Sequence, residues 1–343
     1  MITLMHPIHG ATVSLQTEAQ AQFLRDEDRR ANVDRALTYQ WNALVKQGED
    51  HSLPASVIFS WDEASEQESS NGSFYLLISE REDLGNPWVY VTDETAFPVY
   101  NLKVDTPYFW CVRKNGRQSE VGSFRTAATL PRCMKIDQIS NVRDMGGYAV
   151  EGGRIRQGLV YRGGEFELHM HLSREGAEEL RRLGVRTELD MRGEAVGRVD
   201  FTTAEAIGIR RILVPCAPYA PAFDKGLTRN AHDFFKVFTK PESYPIYYHC
   251  WGGADRTGTF AFILGAFLGM SLTDLINEYE FTTLAIWGIR TRNYGEFQDF
   301  LELFMAFPGE TLREKGRSFL KNHAGLTDGE ISVIREIMVE ENE

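Results

Sequence analysis

A two-part chain is the fold the sequence predicts. An all-β antiparallel sandwich spans residues 1–128 with a helical insertion at about 17–47, and an α/β domain with a central, mainly parallel sheet flanked by helices spans 129–343. Three observations predict it. The length of 343 residues exceeds one typical domain of about 150 residues. Between Pro54 and Thr126 apolar residues recur with period two, separated by turn-forming Gly, Asn and Pro. Beyond Gly158, short apolar runs alternate with longer helical ones, the order of an α/β sheet with crossover helices.

Within residues 17–47, Val33, Leu37, Trp41 and Leu44 recur at spacings of three and four, so that one helix face is apolar and lies on a neighbouring domain. Gly48 stops that helix. Val57, Phe59 and Trp61 then alternate along one strand, Phe74, Leu76 and Ile78 along a second, and Tyr108, Trp110 and Val112 along a third. Asn71-Gly72, Gly85-Asn86-Pro87 and Asn115-Gly116 supply the turns. The stretch from Leu102 to Val112, followed by Ser119, Gly122, Phe124 and Thr126, resembles the last strands of a fibronectin type III domain. That resemblance implies an immunoglobulin-like sandwich in which Tyr108 is the corner tyrosine.

Residues 127–137, containing Pro131, read as a linker. The second domain opens with Asn141-Val142-Arg143-Asp144-Met145-Gly146-Gly147, whose paired glycines predict a tight turn. Strands are expected at Gly158–Tyr161, Val185–Met191, Ile209–Val214 and Pro245–Tyr248. Helices are expected at Ser173–Leu183, with Ser173 as N-cap, at Thr257–Met270, and at Leu272–Tyr279, Tyr294–Met305, Leu312–His323 and Thr327–Val339. Pro215–Asp224 reads as a mobile loop.

Composition excludes several functions. The net charge of −12 falls on both parts of the chain, and no basic tract suggests nucleic acid or an anionic membrane. Four scattered cysteines, Cys111, Cys133, Cys216 and Cys250, lack the spacing of a zinc site or a disulfide framework. No signal segment opens the chain, and the apolar run Phe260–Met270 is too short to span a bilayer. A soluble protein of a reducing, cytoplasmic environment is expected, with secretion left open by the chance of a removed leader.

The chemistry concentrates in His249-Cys250-Trp251-Gly252-Gly253-Ala254-Asp255-Arg256-Thr257-Gly258, placed between a predicted strand and a predicted helix. Unpaired N–H groups and the positive end of a helix dipole favour an anion there. Gly252 and Gly253 permit the backbone of an anion nest, and Arg256 adds a bidentate fork. The same field favours the thiolate of Cys250, the nucleophilic form. Thr257 could hydrogen-bond that sulfur as it leaves. As a bare Cys-x5-Arg the pattern would be weak, but seven residue types in His-Cys-x-x-Gly-x-Asp-Arg-Thr-Gly are specific.

This segment resembles the phosphate loop of the cysteine-dependent tyrosine phosphatases. With the opening Asn141–Gly147 motif and Asp190-Met191-Arg192, it is similar to their bacterial tyrosine phosphatase family. The resemblance implies Cys250 as nucleophile, Arg256 with Trp251, Gly252, Gly253, Ala254, Thr257 and Gly258 as the phosphate cradle, and His249 as a residue that orders the loop. Arg143 and Asp144 either support that loop or form a salt-bridged turn. No cofactor or metal is expected. For the proton donor Asp255 ranks first, Asp190 second and Asp224 third, and Asp190 could equally be the ion-pair partner of an arginine.

The expected substrate is a phosphorylated protein or a small phosphate ester. Ala254 stands where many relatives carry lysine, which removes a rim charge and favours a monophosphate such as phosphotyrosine. Phosphoinositides and inositol phosphates stay open because Arg192 or Arg162 could replace that charge, as does a weakly active phosphate-binding module. The sandwich is a candidate surface for a protein partner.

Overall fold

The computed structural model describes residues 1–27, 50–64, 72–193 and 203–341. They divide into two compact units, Met1–Thr17 with Pro54–Arg132, and Glu18–Leu53 with Cys133–Glu343. Val33, Leu37, Trp41, Leu44 and Asn71 lie outside the described residues.

The first unit is built from β1 (Ile2–His6), β2 (Ala11–Val13), β3 (Val57–Glu63), β4 (Phe74–Ser79), β5 (Trp88–Thr92), β6 (Ala96–Val99), β7 (Pro107–Lys114), β8 (Arg117–Gln118) and β9 (Gly122–Thr126). These form one sheet in the order β1-β3-β6 and a second in the order β2-β9-β7-β4-β5. The expected alternation appears as burial: Val57, Phe59 and Trp61 are enclosed while Ile58 faces outward. Phe59, Trp61, Tyr108, Trp110 and Phe124 fill the core, and Phe59 meets Trp110 edge-on at 5.0 Å. The Tyr108 hydroxyl accepts the Lys103 N–H at 2.8 Å, fixing the bend before β7.

The second unit begins with α1 (Glu18–Arg25), the described part of the predicted insertion. Its Phe23 is enclosed with Cys133, Phe281 and Leu284, and Gln20 donates to the carbonyls of His51 and Leu53. The insertion thus groups with the α/β unit rather than with the sandwich that flanks it in sequence, and the division falls at 132/133 instead of 128/129.

Strands β10 (Arg132–Cys133), β11 (Arg143–Asp144), β12 (Ala149–Val150), β13 (Gly153–Ile155) and β14 (Val160–Gly163) lead to α2 (Arg174–Arg182), whose N-cap Ser173 accepts the Gly176 N–H at 3.0 Å. There follow β15 (Thr187–Asp190), α3 (Thr203–Ala206), β16 (Arg210–Leu213), α4 (Thr228–Phe238) and β17 (Ile246–His249). Helices α5 (Asp255–Leu268), α6 (Leu272–Glu280), α7 (Gly295–Met305), α8 (Leu312–Ser318) and α9 (Asp328–Met338) precede a last strand, β18 (Val339–Glu341). The main sheet has the order β10-β11-β14-β17-β15-β16, parallel from β14 to β16 and antiparallel where β11 joins β14.

Helix α5 is buried from Thr257 to Leu268, as its apolar composition requires, and ends at Gly269 with a left-handed φ of 105°. It starts two residues earlier than predicted. Asp255 and Arg256 therefore occupy its first turn. Helix α4 was not predicted. Among the described residues, no helix is long and apolar enough to cross a membrane.

Candidate active site

Three parallel strands end at one level, because Gly163 and Asp190 are both in register with His249. The next residue is Cys250, enclosed at 4% exposure. Ligands of parallel sheets collect at the carboxyl ends of the strands, and the loop 250–254 crosses that edge before α5 begins. Gly253 has φ +65°, and a Cβ there would fall 2.4 Å from the Gly163 backbone, so this position admits only glycine.

The loop is held from outside by its carbonyls. That of Cys250 accepts His249 Nδ1–H at 2.8 Å, that of Trp251 the Glu165 N–H at 2.9 Å, that of Gly252 Asn141 Nδ2–H at 2.9 Å, and that of Gly253 Arg162 Nη2–H at 2.6 Å. The N–H groups of Trp251 through Ala254 have no acceptor among the described residues. Four consecutive carbonyls tied outward with the intervening amides unpaired make an anion nest. Arg256 projects from the first turn of α5, with Nη1 3.3 Å from the Met191 carbonyl.

Behind the loop is a buried ionic scaffold. Arg143 donates to Asn141 Oδ1 at 2.5 Å and to Glu278 at 2.8 Å, and Arg162 reaches the same Glu278 oxygen at 3.2 Å. Arg143 therefore supports the loop through Asn141. Asp144 takes the other role: its two oxygens accept the N–H groups of Gly146 and Gly158 and close the turn.

His249 is fully enclosed, with Nε2 2.8 Å from Glu188. Burial disfavours its charge, but Asp190 and Glu188 outweigh burial and the imidazole is pushed up to about 9. As an imidazolium it donates from both nitrogens, to Glu188 and to the Cys250 carbonyl.

Asp190 does lie beside the loop, but as an anchored carboxylate. It accepts Arg192 Nε and Nη2 at 2.9 Å and Arg211 Nη2 at 2.7 Å. Burial would raise its pKa, yet His249 and Arg192 carry it well below the usual carboxylate range. Arg192 also pairs with Glu165 and Glu167. Glu188, Asp190 and His249 bring ligand-type atoms within 4.8 Å of one another, but Asp190 and His249 are engaged in these pairs.

Asp224 is exposed and caps the turn at Gly226. Thr257 Oγ1 lies 3.9 Å from the Met191 sulfur. Tyr247 and Tyr248 are core residues with no exposure, whereas Trp251 stands at the rim, 36% exposed, with the His169 ring 4.6 Å away. Neither Arg192 nor Arg162 can replace a rim lysine, since both are buried and committed to carboxylates or the loop.

Asp255 is half-buried at the start of α5. Arg290 clasps it with bonds of 2.7 and 3.0 Å, and the Tyr219 hydroxyl donates to it at 2.5 Å. Burial opposes the charge, but Arg290 and Tyr219 hold the carboxyl below its ordinary value. Arg290, Tyr219, Glu188 and Glu278 were not marked by sequence reasoning, and no local pattern signals them. Asn141 stands within the quoted opening motif.

A family described as "Tyrosine phosphatase family" matches residues 134–340. A provisionally assigned tyrosine-protein phosphatase of Cupriavidus necator is 31% identical over 170 residues, 43% of this chain and 61% of the relative. The chain thus spans about three fifths of the length of that curated relative. Among solved structures, the core catalytic domain of the PP-IP phosphatase Siw14 from S. cerevisiae, in complex with citrate, is similar at 20% identity and a TM-score of 0.34, covering 48% of this chain and 89% of that one. A second structure of the Siw14 catalytic core gives 17% identity and a TM-score of 0.31, covering 48% and 88%. The family match includes the strand, loop and helix that hold Cys250, and the chain belongs to the tyrosine phosphatase family.

Proposed function

We propose that the protein is a cysteine-dependent phosphatase of phosphate monoesters, with phosphotyrosine in proteins as its preferred substrate. The observation that carries this reading is the row of outward-tied carbonyls at 250–253, which leaves the loop amides and Arg256 for the phosphoryl oxygens around Cys250.

In the first step the Cys250 thiolate attacks phosphorus. The S–P bond forms, the P–O bond to the leaving group breaks, and Asp255 delivers its proton to the departing oxygen. In the second step water attacks the cysteinyl-phosphate and gives a proton back to Asp255. The S–P bond breaks, releasing inorganic phosphate and the thiolate. The loop amides and Arg256 follow the equatorial oxygens throughout, as preorganised dipoles in a water-poor site. Thr257 and Gly258 complete the turn that carries Arg256.

Substrate preference follows from the rim. Ala254 adds no charge, and Arg162 and Arg192 face inward to carboxylates and the loop, which disfavours a polyanionic inositol phosphate. Trp251, 36% exposed, offers aromatic surface suited to an aryl ester. The first unit reads as a fibronectin type III-like module, on the strength of the Tyr108 hydroxyl bound to the Lys103 N–H, and as the surface for a protein partner.

A panel of phosphopeptides, phosphoinositides and inositol phosphates, assayed with wild type and Cys250→Ser, tests the reading. Phosphotyrosine peptides should turn over fastest, and Cys250→Ser should lose turnover while keeping its fold by circular dichroism. Turnover retained in Cys250→Ser would sink the covalent mechanism, and a preference for inositol phosphates would sink the substrate assignment.

A further inference from the structure

Arg290 belongs to no motif, yet it is placed with care. It stands between the turn Phe281–Leu284 and α7, and Thr283 pins its backbone, donating to the Arg290 carbonyl at 2.9 Å and accepting the Arg290 N–H at 3.0 Å. So held, its guanidinium reaches the carboxylate of Asp255 as a two-pronged fork, Nε to Oδ1 at 2.7 Å and Nη2 to Oδ2 at 3.0 Å. From another side the Tyr219 hydroxyl donates to Oδ1 at 2.5 Å and lies 3.0 Å from the Tyr279 hydroxyl. Tyr294 packs against Tyr219 with ring centroids 6.2 Å apart, and Arg256, the neighbour of Asp255 on α5, is the other cation facing the carboxylate.

We propose that Arg290 is a positioning residue for the acid: its fork orients the Asp255 carboxyl at the phosphate loop and decides the pH at which Asp255 carries a proton. This inference rests on the reading of Asp255 as the proton donor. A carboxyl that gives both oxygens to one guanidinium favours its ionised form, and protonation of either oxygen loosens the fork. Arg290 thereby lowers the pH at which the donor form is available. It also fixes the aim of the carboxyl, because a bidentate pair allows one orientation where a single hydrogen bond allows several. Arg290 needs no contact with the substrate to act in this way.

The test is the pH dependence of kcat on one aryl phosphate for wild type, Arg290→Gln, Arg290→Lys and Asp255→Asn, each checked for folding by circular dichroism. An opposite charge within about 4–6 Å shifts a carboxyl by roughly one to three units, so Arg290→Gln should move the basic limb upward by about one pH unit. Arg290→Lys, which keeps the charge and loses the fork, should fall between Gln and wild type. Asp255→Asn should remove the basic limb. A limb lost in Asp255→Asn but unmoved in Arg290→Gln would overturn the role of Arg290 while leaving Asp255 as the acid. A limb that survives Asp255→Asn would overturn the acid assignment on which the inference rests. Equal loss of rate at every pH in Arg290→Gln would make Arg290 a structural clasp only.

Discussion

A buried imidazole ordinarily gives up its proton, but His249 has two acceptors and two nearby carboxylates, and it is pushed up to about 9 from an ordinary 6.5. A raised pKa contributes stability that is fully present below the unfolded value, and that stability is lost as pH rises through the folded value. The unfolding free energy of the wild type from urea titrations should therefore fall between about pH 6.5 and pH 9, by roughly 3 kcal/mol. Glu188→Gln should weaken that slope, since it removes one of the carboxylates that hold the proton. An identical slope in both proteins would place the titration elsewhere. His249 itself was legible from its place before Cys250. Its partner Glu188 was not, because it comes from β15, 61 residues earlier, and only strand register brings the two together. Arg290, 35 residues beyond Asp255, was hidden for the same reason.

Elements proved more readable than partners. The strand at Ile246–His249 and the helix that follows were announced by an apolar run, two glycines and a second, longer apolar run. Helix α4 escaped because Thr228 to Phe238 mixes charged residues with its aromatics, although Ala231, Phe234, Phe235 and Phe238 are buried along one face. That face meets α5 through Phe260, whose ring centroid is 4.5 Å from Phe234 and 5.7 Å from Phe235. Phe260→Ala should thus cost about 3–5 kcal/mol in a urea titration, the range for deleting a buried aromatic side chain. The loop 250–254 precedes the first turn of the same helix, more than one turn from Phe260, so kcat should be affected less than stability. A loss under 1 kcal/mol would mean that the aromatic layer collapses around the cavity.

Sequence adjacency and spatial grouping part company at the scale of the whole molecule. Residues 18–27 and 50–53 interrupt the sandwich in sequence, yet they complete the α/β unit. Phe23 fills an apolar cluster with Phe281 and Leu284, the His51 N–H donates to the Leu284 carbonyl at 3.0 Å, and the Asn141 N–H donates to Ser52 Oγ at 3.0 Å. Asn141 is the residue that holds the Gly252 carbonyl, so this strap reaches the loop 250–254 in two steps. The expected division at 128/129 marked where the alternating strands stop, because period and turn chemistry report local structure. They are silent about which core a distant segment joins. A fragment spanning 133–343 should accordingly be less stable than the whole chain by ~3 kcal/mol, from one uncovered apolar cluster and two lost hydrogen bonds, or roughly 5–10 °C in Tm. Ser52→Ala in the full chain separates the two contributions: it should keep most of the Tm while lowering kcat, because it removes an acceptor next to Asn141 and leaves Phe23 in place. If the fragment melts and turns over like the full chain, residues 18–53 are a passenger of the α/β unit and the phosphate loop is held by the scaffold of Arg143, Arg162 and Glu278 alone.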